Sequence, residues 1–314
     1  MRVCLMIEGQ EAVAWDQWLA LARACEDHGF EALFRSDHYL SVEGKTERGT
    51  LDAWATLAGL AAVTDRIRLG TLVSPATFRH PAVLAKSALT VDHISGGRVE
   101  VGLGAGWNEA EHRAFGFEFP ATRTRFDVME EQAEIVVRSF DEGAFSFEGE
   151  HYKVENLDAL PKAVQRPRPP LLMGGVARPR SLAIAARWAD EYNTVFVGPE
   201  EAGKRRDRWA RAWEEAGREA GDLVFSLMTA TVVGADEAEV RERVERLAGR
   251  RGVDADDMLS GARASGIVGT VDEVVDRLMA YEAAGVQRVM LQHLLHDDVE
   301  MLELIGREVI PRVS

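Results

Sequence analysis

Three stretches of the chain carry side chains that could do chemistry. Ser36-Asp37-His38 follows the short apolar run Ala32 to Phe34. A histidine changes protonation near neutral pH, and a neighbouring carboxylate can orient its ring and raise its pKa, so the pair suits proton transfer. It would serve as well as a cap tying the loop to the next helix. Glu8 and Gln10 close the first apolar run, Val3 to Ile7. A carboxylate there could face a central ligand or stand solvated in a loop.

The second and third stretches are rich in glycine: Gly102-Leu103-Gly104-Ala105-Gly106-Trp107-Asn108 and Met173-Gly174-Gly175-Val176. Glycine lets backbone amides approach a phosphate closely, and a following helix N-terminus favours the anion. Each is also readable as a plain tight turn. The first lacks the Gly-x-Gly-x-x-Gly spacing of dinucleotide folds. Between these sites, Thr71-Leu72-Val73-Ser74-Pro75 offers small and apolar groups to the face of a flat ring, with Thr71 or Ser74 at its edge, or is only a strand exit.

Other chemistries find little support. His28, His93, His112, His151, His293 and His296 form no recognisable metal-ligand spacing, so no metal is expected. There is no Gly-x-Ser-x-Gly elbow and no phosphate loop ending in Gly-Lys-Ser/Thr. A formal charge of −15 argues against nucleic acid or an anionic membrane as partner. Cys4 and Cys25 are two isolated thiols in apolar patterns, which predicts reduced core residues. No apolar run reaches the ~20 residues of a membrane span and no leader pattern opens the chain, so a cytoplasmic enzyme is expected.

The elements that must position these residues alternate. Extended runs at Val3 to Ile7, Ala32 to Phe34, Ile67 to Val73 and Val99 to Leu103 alternate with helical spacing at Trp15 to Cys25, Trp54 to Val63 and Ala82 to Ile94. The rhythm resumes with strands at Pro170 to Met173, Glu191 to Val197, Leu223 to Val233 and Gln287 to Gln292. Helices are expected at Arg180 to Trp188, Glu200 to Glu219, from Asp236, and at Val271 to Ala284, the last capped by Thr270 and closed by Gly285. Eight strands alternating with helices in 314 residues predict one α/β domain over residues 1–314, a (β/α)₈ TIM barrel. Residues 142–170, aromatic and hairpin-like and then proline-rich, form an insertion between the fourth helix and the fifth strand. In such barrels working side chains stand at the C-terminal strand ends, where all three stretches fall.

The runs Ser36-Asp37-His38, Thr64 to Pro75, Phe78 to Lys86 and Ile94 to Trp107 together resemble the bacterial luciferase-like superfamily. The resemblance continues through Phe126 to Glu131, Tyr152, Pro161 to Pro170, Gly174-Gly175 and Ala189-Asp190, and so covers most of the chain. It implies a homodimeric barrel that holds FMN or the deazaflavin coenzyme F-420 above the strand ends. The Asp37-His38 pair is similar to the deazaflavin branch, where the histidine lies near the reactive ring carbon and the aspartate contacts the ring system.

By that resemblance Thr71 and Leu72 back the ring across a strained, non-proline cis peptide. Ser74, Gly104, Gly106, Asn108, Gly174, Gly175 and Val176 join the cofactor site, and Arg79, Arg178 and Arg180 are candidates to neutralise a phosphate or an acidic tail. The implied activity is hydride transfer between coenzyme F-420 and an organic substrate, with His38, Asp37 and Glu8 as catalytic candidates. The alternative is an FMN-dependent monooxygenase supplied by a separate flavin reductase. A third reading is a barrel that binds without catalysis. In the sugar-phosphate dehydrogenases of the deazaflavin branch a glutamate occupies the position of Ala105, so that reaction is not expected here. A homodimer is expected through the apolar helices Trp54 to Val63 and Leu84 to Val91.

Overall fold

The structure, a computed structural model, describes residues 1–45 and 47–313. Eight parallel strands close on themselves: β1 (Arg2–Ile7), β2 (Ala32–Arg35), β3 (Arg68–Thr71), β4 (Val99–Gly104), β5 (Leu171–Gly174), β6 (Glu191–Val195), β7 (Val224–Gly234) and β8 (Arg288–Gln292). Each pairs with its sequence neighbour, β7 pairs with both β6 and β8, and β8 returns to β1, which makes the barrel. The expected (β/α)₈ fold is therefore the observed one.

The strands read as near-continuous apolar runs because both faces are covered. Along β1, Val3, Leu5 and Ile7 join the large core beneath the surrounding helices. The alternate Cys4 and Met6 enter a smaller cluster with Phe34, Leu72, Leu172, Met228 and Met290 that fills the barrel. At the N-terminal end that filling becomes ionic: the buried Arg288 guanidinium meets Glu31, Glu100 and Glu191.

The register brings the strand ends to one level, with Ile7 beside Arg35, Arg35 beside Thr71, and Leu103 beside Met173. Each element begins where its chemistry allows. Asp52 caps the helix Ala53–Ala61 by accepting from the Ala55 amide at 2.9 Å, and His80 caps Pro81–Ser95, whose N1 position holds Pro81.

Four differences from the expected elements stand out. The third strand ends at Thr71 and resumes only as Ser74–Pro75, and the cis peptide lies between Leu72 and Val73, one bond beyond the expected place. The helix expected to run to Glu219 stops at Glu215, before Gly217 at φ +72°. A ninth parallel strand, Ile267–Thr270, pairs with the far half of the long β7, and the helix Ala255–Ser265 precedes it above the rim. The insertion contains the expected hairpin, Phe145–Glu148 with Lys153–Leu157. Its proline-rich end is tied down by Asp92, whose carboxylate accepts from the amides of Val164 and Gln165. Gln165 also bonds Val99 O at the start of β4, so this segment serves the N-terminal end of the barrel, away from the glycine turns.

Candidate active site

At the C-terminal rim a cavity of about 880 Å³ is lined by Glu8, Ser36 and His38 from the ends of β1 and β2, and by Leu72 and Val73 from the break in β3. Met228 and Ala230 of β7 and Gln292 of β8 also line it. A smaller pocket of about 330 Å³ adjoins it, lined by Gly104, Ala105, Gly174, Thr122, Arg125 and Tyr192. Val73, Gly106 and Trp107 line both, so the two spaces share a wall. Such volumes are those of cofactor and substrate sites.

His38 is held by a carboxylate, but not by its neighbour in sequence. Its Nδ1 lies 2.7 Å from Oε2 of Glu111, a fully buried residue on the helix Glu109–Phe115. Glu111 Oε1 accepts from the Tyr39 and Leu40 amides. Burial alone would push the His38 pKa down. The Glu111 hydrogen bond and the charges of Glu111, Glu8 and Asp37 outweigh it and raise the pKa above 6.5. Trp107 packs edge-on against the imidazole, ring centroids 5.6 Å apart. Among the described residues Nε2 has no protein partner, on a side chain that lines the cavity.

Asp37 turns the other way. Its Oδ2 accepts from Ser74 Oγ at 2.6 Å and from Arg79 at 2.5 Å, while the buried Oδ1 has no partner. Ser74 Oγ accepts from Trp54 Nε1, and Thr71 Oγ1 bonds both the amide and the carbonyl of Gly102. Asp37, Thr71 and Ser74 thus form a buried frame behind the Leu72–Val73 wall and do not line the cavity. Asn108 caps the helix Glu109–Phe115.

Glu8 does face the cavity. Both its oxygens are occupied by amides: Oε1 accepts from Gln292 Nε2 at 2.6 Å and Oε2 from Gln10 Nε2 at 2.8 Å. This fixes a carboxylate in the cavity wall opposite the rim helices.

The glycines divide by role. A Cβ at Gly102 would fall 2.0 Å from Thr71 O, and one at Gly104 would fall 2.6 Å from Val73 Cγ2, so these two let β3 and the break that follows it approach β4. Gly106, at φ +76°, turns the chain out of β4. Among the described residues the backbone amides of Gly106, Trp107 and Val176 have no partner within the chain. Gly106 and Trp107 line the smaller pocket with Gly174, which suits an anion there. Gly175 stands beside the Tyr192 hydroxyl, and Val176 is exposed on the far side of the same turn. Of the candidate arginines, Arg79 is spent on Asp37 and Asp52, and Arg180 on Asp127.

The sequence reading missed Glu111, Gln292 and the apolar wall made by Phe196, Val253 and Met258. An Asn108 cap three residues before Glu111 was the available sign that a helix would turn that carboxylate back toward the rim. No cluster of potential metal ligands occurs among the described residues.

Comparison with known proteins follows the same outline. A sequence profile described as luciferase-like monooxygenase matches residues 3–288. An uncharacterized protein of Sinorhizobium fredii is 33% identical over 183 residues, 58% of this chain and 50% of that protein, so the match spans half of that relative's length. The 5,10-methylenetetrahydromethanopterin reductase of Methanopyrus kandleri is 26% identical, with 93% of each chain covered. The crystal structure of the monooxygenase RslO1 from Streptomyces bottropensis superposes with a TM-score of 0.84 at 25% identity over the whole of both chains.

Proposed function

Because the chain belongs to the luciferase-like monooxygenase family, matched from residue 3 to 288, we propose that it is an oxidoreductase moving a hydride between coenzyme F-420 and an organic substrate. The observation that carries this reading is the imidazole of His38, fixed by buried Glu111 at one ring nitrogen and open to the cavity at the other. The reductase likeness across 93% of both chains accords with it.

The residues present fit such a coenzyme. Leu72 and Val73 supply an apolar wall for a flat ring, with Met228 and Phe196 elsewhere on the lining. The free amides at Gly106 and Trp107, beside Gly174, would hold a phosphate. When bound, the deazaflavin supplies a two-electron carrier that gives or takes hydride. The chain's own part is then proton management. Hydride added to an oxygen-bearing carbon must be matched by a proton on that oxygen, and we assign its delivery to His38 Nε2. The Glu111 hydrogen bond and the nearby carboxylate charges favour its protonated form. Glu8, immobilised by two amides, orients the substrate's polar end.

An FMN-dependent monooxygenase fed by a separate flavin reductase is the second reading, favoured by the full-length likeness to the Streptomyces monooxygenase. Fluorescence titration of the protein with coenzyme F-420 and with FMN separates the two. Tighter binding of coenzyme F-420 is expected; binding of FMN alone would sink the hydride-transfer reading.

We further propose a cytoplasmic homodimer. Cys4 and Cys25 are buried and unpaired, as a reducing compartment allows, and no helix among the described residues is long and apolar enough to cross a membrane. Most apolar residues of the two expected interface helices, such as Trp54, Leu57, Leu84 and Val91, are consumed in the chain's own core. Val63, Val83 and Ile94 remain exposed for a partner copy. Light scattering at micromolar concentration should give twice the chain mass.

A further inference from the structure

On the outer side of the turn after β5 runs a groove of about 1040 Å³ between the helices Pro179–Trp188 and Pro199–Glu215. Its lining holds six arginines, Arg178, Arg187, Arg205, Arg208, Arg211 and Arg218, against two glutamates, Glu201 and Glu215. In a chain with a formal charge of −15 this is a local reversal of sign. Such a surface concentrates anions against the field of the rest of the molecule.

Arg187 pairs with Glu130, and Arg218 bonds the Ala189 carbonyl and faces Asp190, but the fold leaves other arginines of the groove with charge to spare. Among the described residues Arg178 and Arg211 make no ion pair or side-chain hydrogen bond, and Arg205 and Arg208 share the single carboxylate of Glu201. Arg218 stacks on Trp213 at 3.6 Å, which presents the planar face of a fixed cation. The groove starts at Val176 and Arg178, directly after Gly174-Gly175. It is also joined to that turn, since Arg205 donates to Thr194 Oγ1, which lies 3.4 Å from Gly175 O. The smaller pocket, lined by Gly174, Ser181 and Tyr192, lies on the inner side of the same segment.

We propose that this groove binds an oligocarboxylate chain: the γ-linked glutamates that follow the phosphate of the deazaflavin coenzyme. This rests on the hydride-transfer reading, and the chemistry of the two cofactors explains why. FMN ends at its phosphate and has nothing to place in a cationic groove. The deazaflavin continues beyond its phosphate into a row of carboxylates, each matching a guanidinium. The arginines are positioned to hold that row and take no part in hydride transfer.

The test compares coenzyme F-420 carrying several glutamates with its tail-less phosphate form and with FMN, by fluorescence titration at low and high salt. The wild type is set beside an Arg178→Glu/Arg211→Glu double variant. Both side chains are exposed and unpaired, so the variant should fold. Wild-type protein is expected to prefer the tailed coenzyme, and the variant to lose about tenfold of that affinity, as two exposed ion pairs allow. The tail-less form should bind both proteins equally, and the preference should shrink at high salt. Equal binding of tailed and tail-less coenzyme by the wild type would overturn the groove and leave the cofactor reading intact. Equal loss for both forms in the variant would assign the arginines to the phosphate and also overturn it. Binding of FMN with no binding of either deazaflavin form would overturn both readings.

Discussion

His38 Nδ1 lies 2.7 Å from Glu111 Oε2 although 73 residues separate them, and the same carboxylate accepts the next two backbone amides, those of Tyr39 and Leu40. One buried anion therefore fixes the ring, its protonation and the loop that carries it. Glu111 does not line the cavity, yet it acts in this way on the imidazole that does.

Glu111→Gln keeps an acceptor for the ring but removes the charge that raises its pKa. The limb of the pH–rate profile belonging to the protonated histidine should move to lower pH, with the largest loss of turnover on the alkaline side. Coenzyme affinity should change little. His38→Ala should remove the limb altogether and cost about 10²–10⁴ in rate. A Glu111→Gln profile that keeps its wild-type position would reduce the carboxylate to a loop cap.

The histidines give opposite signs to the pH dependence of stability. His38 has its folded pKa raised above 6.5, so the stability it contributes is fully present below that value and lost as pH rises through the folded pKa. His293 and His296 are the reverse. Burial pushes them down to about 4 and about 3, and neither nitrogen of His293 has a partner. Their neutral forms stabilise the fold above 6.5, and this is lost as pH falls toward 4. Melting curves from pH 4 to 9 should show the gap between wild type and His38→Ala narrowing toward high pH. His293→Leu should flatten the acid-side decline.

Much of the frame was legible in the sequence, because parallel barrel strands are apolar on both faces and their helices keep a 3.6-residue period. His38, Glu8 and Gly106 were likewise readable, being unusual residue types just past such strands. Glu111 was not, since its role depends on a contact across 73 residues and its local pattern is that of any acidic helix start. The proximity of Asp37 to His38 along the chain misdirected the pairing. In an extended strand exit adjacent side chains point apart, so Asp37 reaches Ser74 and Arg79 while His38 turns to the cavity. The strand Ile267–Thr270 was not legible because four residues after Gly266, the last of them the helix cap Thr270, carry no periodicity. Arg288, Glu100 and Glu191 are charged residues within strand runs, and their mutual burial depends on three strands far apart in the chain.

That buried cluster yields a stability prediction. Against the burial that opposes its ionisation, Arg288 and Arg68 hold Glu100 down to about 2, whereas burial and the charge of Glu100 push Glu191 up. Glu191 also leaves Oε1 without a partner. Glu191→Gln, which removes the carboxylate least favoured in its charged form, should therefore be the milder change. Arg288→Met strands Glu100 and should cost about 3–5 kcal/mol. Urea denaturation of the two variants at pH 7 measures the contrast, and equal losses would contradict the assignment.

The two glycines of β4 offer a final test, because their reasons for being glycine differ in what they would disturb. A Cβ at Gly102 would fall 2.0 Å from the Thr71 carbonyl oxygen, a backbone atom of a neighbouring strand that cannot swing aside. A Cβ at Gly104 would fall 2.6 Å from Val73 Cγ2, the end of a side chain that lines both cavities. Gly102→Ala should therefore act on the fold, lowering stability by about 1–3 kcal/mol or more, as overpacking does. Gly104→Ala can be absorbed by a shift of Val73 into the cofactor space. It should cost less in melting temperature and weaken coenzyme binding about tenfold or more, a loss of the size expected when an apolar wall no longer fits its ligand. Melting curves and fluorescence titrations on the same two proteins decide the point. If Gly104→Ala binds coenzyme as wild type does, the Leu72–Val73 wall is not the surface against which the ring lies.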